Sequence, residues 1–268
     1  MEKTFSLERS CAILNAIRER SPLVLCLTNS VVRPITANLL LAAGAAPVML
    51  SDESEVRELV ACGAANALLI NLGTLSEAQA QTMRAAVESA GTRVPWVLDP
   101  VAVGTLSLRT RFAGEMLAKK PTMIRGNASE ILALAGFEAS ARGPESTCGS
   151  EAAIEAAQKL AAESGAVVLV TGAVDYATDG RRIIALGNGN VLATRVTGAG
   201  CSMGALAAAC LAVAETPLEA AVANALIMGV IGDIAAESSR GPGTFSSALL
   251  DALYNLSEAD MRSRARIL

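Results

Sequence analysis

VTGAGCSMGALAAACLAVA, residues 196–214, runs a glycine-rich turn straight into an alanine-rich helix. Gly198 and Gly200 permit a tight turn and a close backbone approach to a ligand. The unpaired N–H groups and positive dipole end of the helix then face that ligand. The reading is an anion site formed by the amides of Ala199, Gly200 and Cys201, with Cys201 at a helix start, where a thiolate and developing negative charge are favoured. The plainer alternative is helix capping, with Cys201 as a small apolar filler. A Walker loop is excluded, because Ser202, Met203 and Gly204 stand where that motif needs a lysine beside Ser or Thr. The small residues suit close packing in a large core better than burial in lipid.

Upstream of this stretch, short apolar runs alternate with helical patterns. Residues 23–27, 67–72, 94–98, 123–124 and 167–170 read as strands, and 34–43, 76–90, 106–118, 128–135 and 151–164 as helices. Strands apolar on both faces predict a mostly parallel sheet covered by helices on each side, an α/β fold. A hairpin over 175–186, turning at Asp179 and Gly180, adds antiparallel strands at one edge. After Gly200 the chain reads as nearly all helix, broken at Pro217 and at 241–243.

Apolar residues make up 52% of the 268, with 18% charged, which favours a single domain over 1–268 with an Ala/Leu/Val core and some helical surface buried between subunits. The net charge of −4 is too mild for capture of nucleic acid or anionic membrane, so neither is expected as a partner. Arg262, Arg264 and Arg266 read as a solvated tail. Cys11, Cys26, Cys62, Cys148, Cys201 and Cys210 form no C-x-x-C pair, which argues against zinc and a disulfide framework. The charged amphipathic start is unlike a signal sequence, and the cytoplasm is the expected compartment. The chain has no histidine, so proton transfer falls to Asp, Glu, Cys, Lys, Tyr or water.

Each apolar run ends on small or polar groups: Thr28 and Asn29; Asn71, Gly73 and Thr74; Asp99 and Pro100; Arg125, Gly126 and Asn127; Thr171 and Gly172. Ligands of open parallel sheets bind beyond the carboxyl ends of the strands, so these groups converge on one crevice. Asn29 and Thr74 also suit turns or caps, and Asn127 with Glu130 has capping-box spacing. Asp99, directly after an apolar run, is costly to bury without a cation. With Glu130 it suits Mg²⁺ held through water, and Arg125 suits a nucleotide phosphate.

Several blocks in fixed order carry a resemblance: LTNSVVRPITANLLLAAGAAPVM at 27–49, LLINLGTL at 68–75, WVLDPVAVG at 96–104, IRGNASEILALAG at 124–136, VVLVTGAVDYATDG at 167–180, TGAGCSMGA at 197–205 and RGPGTF at 240–245. Over nearly its whole length the chain resembles the hydroxyethylthiazole kinases, ribokinase-like enzymes of thiamine salvage. The resemblance implies transfer of the ATP γ-phosphoryl to the alcohol of 4-methyl-5-(2-hydroxyethyl)thiazole. It places Asn29, Met49 and Gly198 at the thiazole, Arg125 and Thr171 at ATP, and Asp99 and Glu130 at magnesium. Cys201 stands where sugar kinases of the superfamily place an aspartate base, and a homotrimer with sites between subunits is implied. Ala199 replaces a common threonine, Leu25 a common histidine and Ile35 an aromatic; the changes at 25 and 35 are expected to touch the pocket wall. The rival readings are a pyrimidine alcohol kinase, a nucleotide-dependent NAD(P)HX dehydratase and a nucleotide sensor without turnover.

Overall fold

The computed structural model describes residues 2–137 and 150–268. Cys148 lies outside them. In chain order the elements are α1 (Glu2–Arg20), β1 (Leu23–Leu27), α2 (Arg33–Ala43), β2 (Ala46–Val48), α3 (Glu53–Ala61), β3 (Ala67–Asn71), α4 (Glu77–Ala90), β4 (Trp96–Asp99), α5 (Ser107–Ala118), β5 (Met123–Asn127) and α6 (Ala128–Leu134). They continue with α7 (Ser150–Ser164), β6 (Val167–Thr171), β7 (Asp175–Thr178), β8 (Ile183–Leu186), a 3₁₀ turn (Val191–Arg195), α8 (Ala199–Val213), α9 (Pro217–Ser238), α10 (Pro242–Asn255) and α11 (Glu258–Arg264). The strands form a single sheet in the order β2-β1-β3-β4-β5-β6-β7-β8. The first six are parallel, and β7 and β8 are the expected antiparallel hairpin.

Alternate strand residues feed two cores, as a period of two demands. Val24, Cys26, Leu69, Val97 and Leu169 face α1, α2, α8, α9 and α10. Leu25, Leu68, Ile70, Trp96, Leu98 and Val168 face the layer of α3 to α7. The chain steps outward from β1 to β2, then back across to β3. Because crossovers between parallel strands keep one hand, that reversal puts α2 and α4 on opposite faces and opens a crevice between β1 and β3. The carboxyl ends of both strands border it.

α8 shows why its sequence is so rich in glycine and alanine. It lies between the sheet and helices α2 and α9, and a Cβ at Gly204 would sit 3.1 Å from Leu69 Cδ1 and 3.2 Å from Asp99 Oδ2. α9 has the length and hydropathy of a membrane span, but 78% of its most apolar window is buried. Its start carries a capping box in which Thr216 and Glu219 exchange bonds, with Pro217 in the first turn.

Four expectations need correction. The 123–124 run extends to Asn127, because Arg125, Gly126 and Asn127 pair with β6 as strand residues despite their polarity. β2 and α3 were not among the expected elements: β2 is three residues long and contains a proline, which an edge strand tolerates, and α3 starts at a cap from Asp52. Leu25 is fully buried beneath the α3–α7 layer and forms no pocket wall. The arginine tail is a docked segment: Arg262 pairs with Glu8 and Glu258, Arg264 with Glu237, and Arg266 with Asp233. Ile267 bridges to Leu186, which extends the β8 edge.

Candidate active site

The strand ends meet as the crevice rule requires, and a buried polar network joins them. Asp99, at the end of β4, has no exposed surface. Its Oδ2 accepts a 2.7 Å bond from Asn71 Nδ2 at the end of β3. Asn71 Oδ1 accepts from Gly73 N at 3.0 Å and from Asn29 Nδ2 at 3.2 Å. Asn29 Nδ2 also lies 3.8 Å from Cys201 Sγ. Gly73 makes this possible, since a Cβ there would stand 2.5 Å from the Asn29 amide nitrogen. Asn71 is therefore the hub that joins Asn29, which adjoins the cysteine, to the carboxylate. Its position among the strand ends was visible in the sequence; its role was not, because hydrogen-bond direction depends on tertiary contact.

Asp99 Oδ1 is buried without a hydrogen-bond partner, 3.6 Å from Arg125 Nη1. Burial pushes its pKa up to about 7, against the pull of Arg125; Glu130 pushes the same way, while the Asn71 bond lowers it. Arg125 reaches from β5 beneath the start of α8. Its Nη2 lies 3.4 Å from where a Gly200 Cβ would be and 3.8 Å from Met203 Sδ, and its buried Nε has no partner. The guanidinium therefore keeps donor capacity that an anion could take up.

Glu130 is spent on backbone. Its Oε1 accepts from Ala102 N at 3.0 Å and its Oε2 from Asn127 N at 2.9 Å, while Asn127 Oδ1 accepts from Glu130 N. The capping-box reading of this pair is present in full. Glu130 also ties the loop after β4, where Ala102 takes a left-handed φ of 61°, to the start of α6. Thr171, at the end of β6, donates to Gly126 O at 3.3 Å.

α8 begins without a side-chain cap, at Gly198 with φ 93°. The Ala199 amide makes a 3.3 Å bond to Val196 O, so the Gly200 and Cys201 amides are the ones turned free at this end. Cys201 corrects one expectation. Burial raises its thiol pKa, and the Asp99 charge adds to the rise; Asn71, Arg125 and Asn29 pull the other way without cancelling it. The thiol at this helix start is therefore raised above its ordinary value, not lowered.

A cavity of about 900 Å³ opens on the β5–β6 side. Arg125, Thr171, Ala199 and Gly200 line one end, and Leu132, Phe137, Met228 and Leu249 supply apolar wall. Asp175, unremarked in the sequence, lines it too; burial pushes its carboxyl up to about 6, although it accepts a bond from Gly172 N. Asn29, Met49 and Gly198 are not among the residues that line the cavity. Met49 follows the edge strand β2 and is half-buried, and Gly198 is pressed against Val32 and Ile35 of the α2 region. Ile35 thus does reach the turn.

The family model for the hydroxyethylthiazole kinase family matches residues 14–259. The chain is 56% identical over 258 residues to a hydroxyethylthiazole kinase of Akkermansia muciniphila, covering 96% of this chain and 95% of that one. Its fold superposes with a TM-score of 0.89 on the hydroxyethylthiazole kinase protein of Pyrococcus horikoshii OT3, at 40% identity over 97% of this chain and 98% of that one. A pyridoxal kinase of Bacillus subtilis shares the fold at a TM-score of 0.61 and 18% identity, over 79% of this chain and 92% of that one. Taken with the buried Asn71–Asp99–Arg125 network under the glycine turn, these likenesses show that the chain belongs to the hydroxyethylthiazole kinase family.

Proposed function

We propose that this chain, as a single cytoplasmic kinase domain, transfers the γ-phosphoryl group of ATP to the hydroxyl of 4-methyl-5-(2-hydroxyethyl)thiazole in thiamine salvage. Family membership supports the reaction class, and the observation that carries the reading is local. A half-satisfied arginine and the open end of a helix line the cavity, and an unpartnered carboxylate oxygen lies buried 3.6 Å from that arginine. The volume is within the range of small-molecule sites, about 300–1,000 Å³.

The nucleotide lies in the cavity, with its base toward Leu132, Phe137 and Leu249 and its phosphates toward Thr171, Arg125 and the Gly200 and Cys201 amides. The alcohol enters from the Asn29, Met49 and Gly198 side, so that attack occurs across the start of α8. Phosphoryl transfer is mostly positioning and charge neutralisation, which these amides and Arg125 supply. A raised thiol suits Cys201 to orienting the alcohol and taking its proton late, as bond formation to phosphorus makes that proton acidic. Asn29 and Asn71 hold the thiol in place.

Magnesium fits Asp99, whose Oδ1 is left without a donor. Mg²⁺ commonly takes one or two carboxylates and completes its shell with water and phosphate. It would neutralise phosphate charge there. Glu130, with both oxygens on backbone amides, would reach it through water.

The test is thiazole-dependent ADP release by purified protein. Asp99→Asn, which keeps the shape and the Asn71 contact, is expected to lower kcat about a hundredfold or more with the fold intact. Near-wild-type turnover in that variant would show Asp99 to be structural.

A further inference from the structure

Residues 188–191 form part of the cavity wall, and this wall is tied to the segment from Arg264 to Leu268. Asn188, 7% exposed and lining the cavity, has three strong bonds: Nδ2 donates to Asp233 Oδ2 and to Arg264 O, both at 2.8 Å, and Oδ1 accepts from Arg266 N at 2.6 Å. Asp233 Oδ1 accepts from Gly189 N at 3.2 Å, and Arg266 closes an ion pair to the same carboxylate at 3.1 Å. Gly187 N donates to Arg266 O at 2.8 Å, and Leu268 N to Ala185 O at 2.9 Å. α9 is pressed onto this knot at Gly229, where a Cβ would stand 2.5 Å from Asn188 Cβ.

We infer that Asn188 and Asp233 are positioning residues for the nucleotide, and that the C-terminal segment sets nucleotide affinity by clamping residues 188–191. The inference rests on reading the cavity as the nucleotide site. Both donors of the Asn188 amide are spent within the protein, so its contribution is the placement of the wall and not a bond to the ligand. The exposed Arg266–Asp233 pair adds little alone. Asp233 matters because it bonds the wall at two points, Asn188 and Gly189.

A fold-maintaining role and a positioning role separate in the kinetics. Asp233→Asn keeps the shape but weakens the accepting carboxylate, and Asn188→Ala removes three bonds. Each is expected to raise the Kd for ADP, measured by calorimetry, and the KM for ATP about tenfold. The thiazole KM should stay as it is, and kcat at saturating ATP should stay within about twofold of wild type. Arg266→Ala, which spares the backbone N–H, is expected to have a smaller effect in the same direction. Should Asn188→Ala fail to fold, Asp233→Asn carries the test. A folded Asp233→Asn protein with wild-type ADP affinity, or one that loses kcat and both KM values alike, would overturn the inference. A wild-type chain that bound no ADP would overturn the nucleotide reading, and this inference with it.

Discussion

At the scale of single residues, the site is governed by burial competing with hydrogen bonding. Cys201 stands at a helix start, yet its thiol is raised, because lost hydration and the neighbouring Asp99 exceed the pull of Asn71, Arg125 and Asn29. Cys201→Ala is expected to cut kcat about tenfold to a hundredfold while leaving the ATP KM near wild type, and Cys201→Ser to recover part of the loss. Steady-state kinetics with both substrates varied will check this; an unchanged kcat in the alanine variant would remove the thiol from the proton path. Asp175 permits a stability prediction. Its folded pKa of about 6 lies above the ordinary 3.8, so between those values the folded chain holds a proton that the unfolded chain releases. Stability from this group is therefore full below pH 3.8 and is lost as pH rises through 6. Asp175→Asn removes the dependence, so the Tm difference, variant minus wild type, should grow across that window and then level off. A difference independent of pH would show that the carboxyl is not held protonated.

At the scale of elements, α8 makes the site by being small and bare. Its glycine and alanine surface brings the helix against β3, β4 and Asp99, and the uncapped first turn leaves amides free. Gly198 carries the geometry: its φ is 93°, and a Cβ would stand 2.6 Å from Ile35 Cγ2. Gly198→Ala is expected to cost more than the roughly 1–2 kcal/mol of left-handed strain alone, and to lower activity, because the amide turn must shift. Gly63→Ala supplies the comparison, with φ 78° and nothing within 4 Å of the added carbon. Urea unfolding of both variants measures the difference; equal costs would mean that Ile35 yields freely. Capping explains how accurately helix starts read from sequence. Ser76 with Gln79 and Asn127 with Glu130 form reciprocal boxes where turn and helix residues were expected. β2 escaped because a three-residue edge strand has too few positions to show a period, whereas α3 did carry local signals, the Asp52 cap and the buried Val56 and Val60 four apart.

For the whole molecule, the two halves of the site differ in how complete they are. The proposed nucleotide site is a formed cavity, while Asn29, on the proposed acceptor side, bonds the amide of Val31, whose side chain is 61% accessible, and Leu41 further along α2 is 59% accessible. Large apolar side chains left in water on α2 and just before it are what the proposed homotrimer would cover. Light scattering is expected to report a trimer, and Leu41→Glu a folded smaller species that has lost most of its thiazole kinase activity. A monomeric variant with full activity would show that each chain works alone. The sequence by itself determined the alternation of strand and helix, the parallel sheet and the set of polar groups at its carboxyl end, because periodicity and strand-end chemistry are local properties. It also carried the family, through short blocks in fixed order. The tertiary structure alone decided which of those polar groups touch: that Asn71 links Asn29 to Asp99, that Glu130 is bound to backbone, that Cys201 is held un-ionised, and that the last arginines brace a cavity wall. Those outcomes depend on burial and on partners up to 254 residues away, as in the Arg262–Glu8 pair, and no local pattern encodes them.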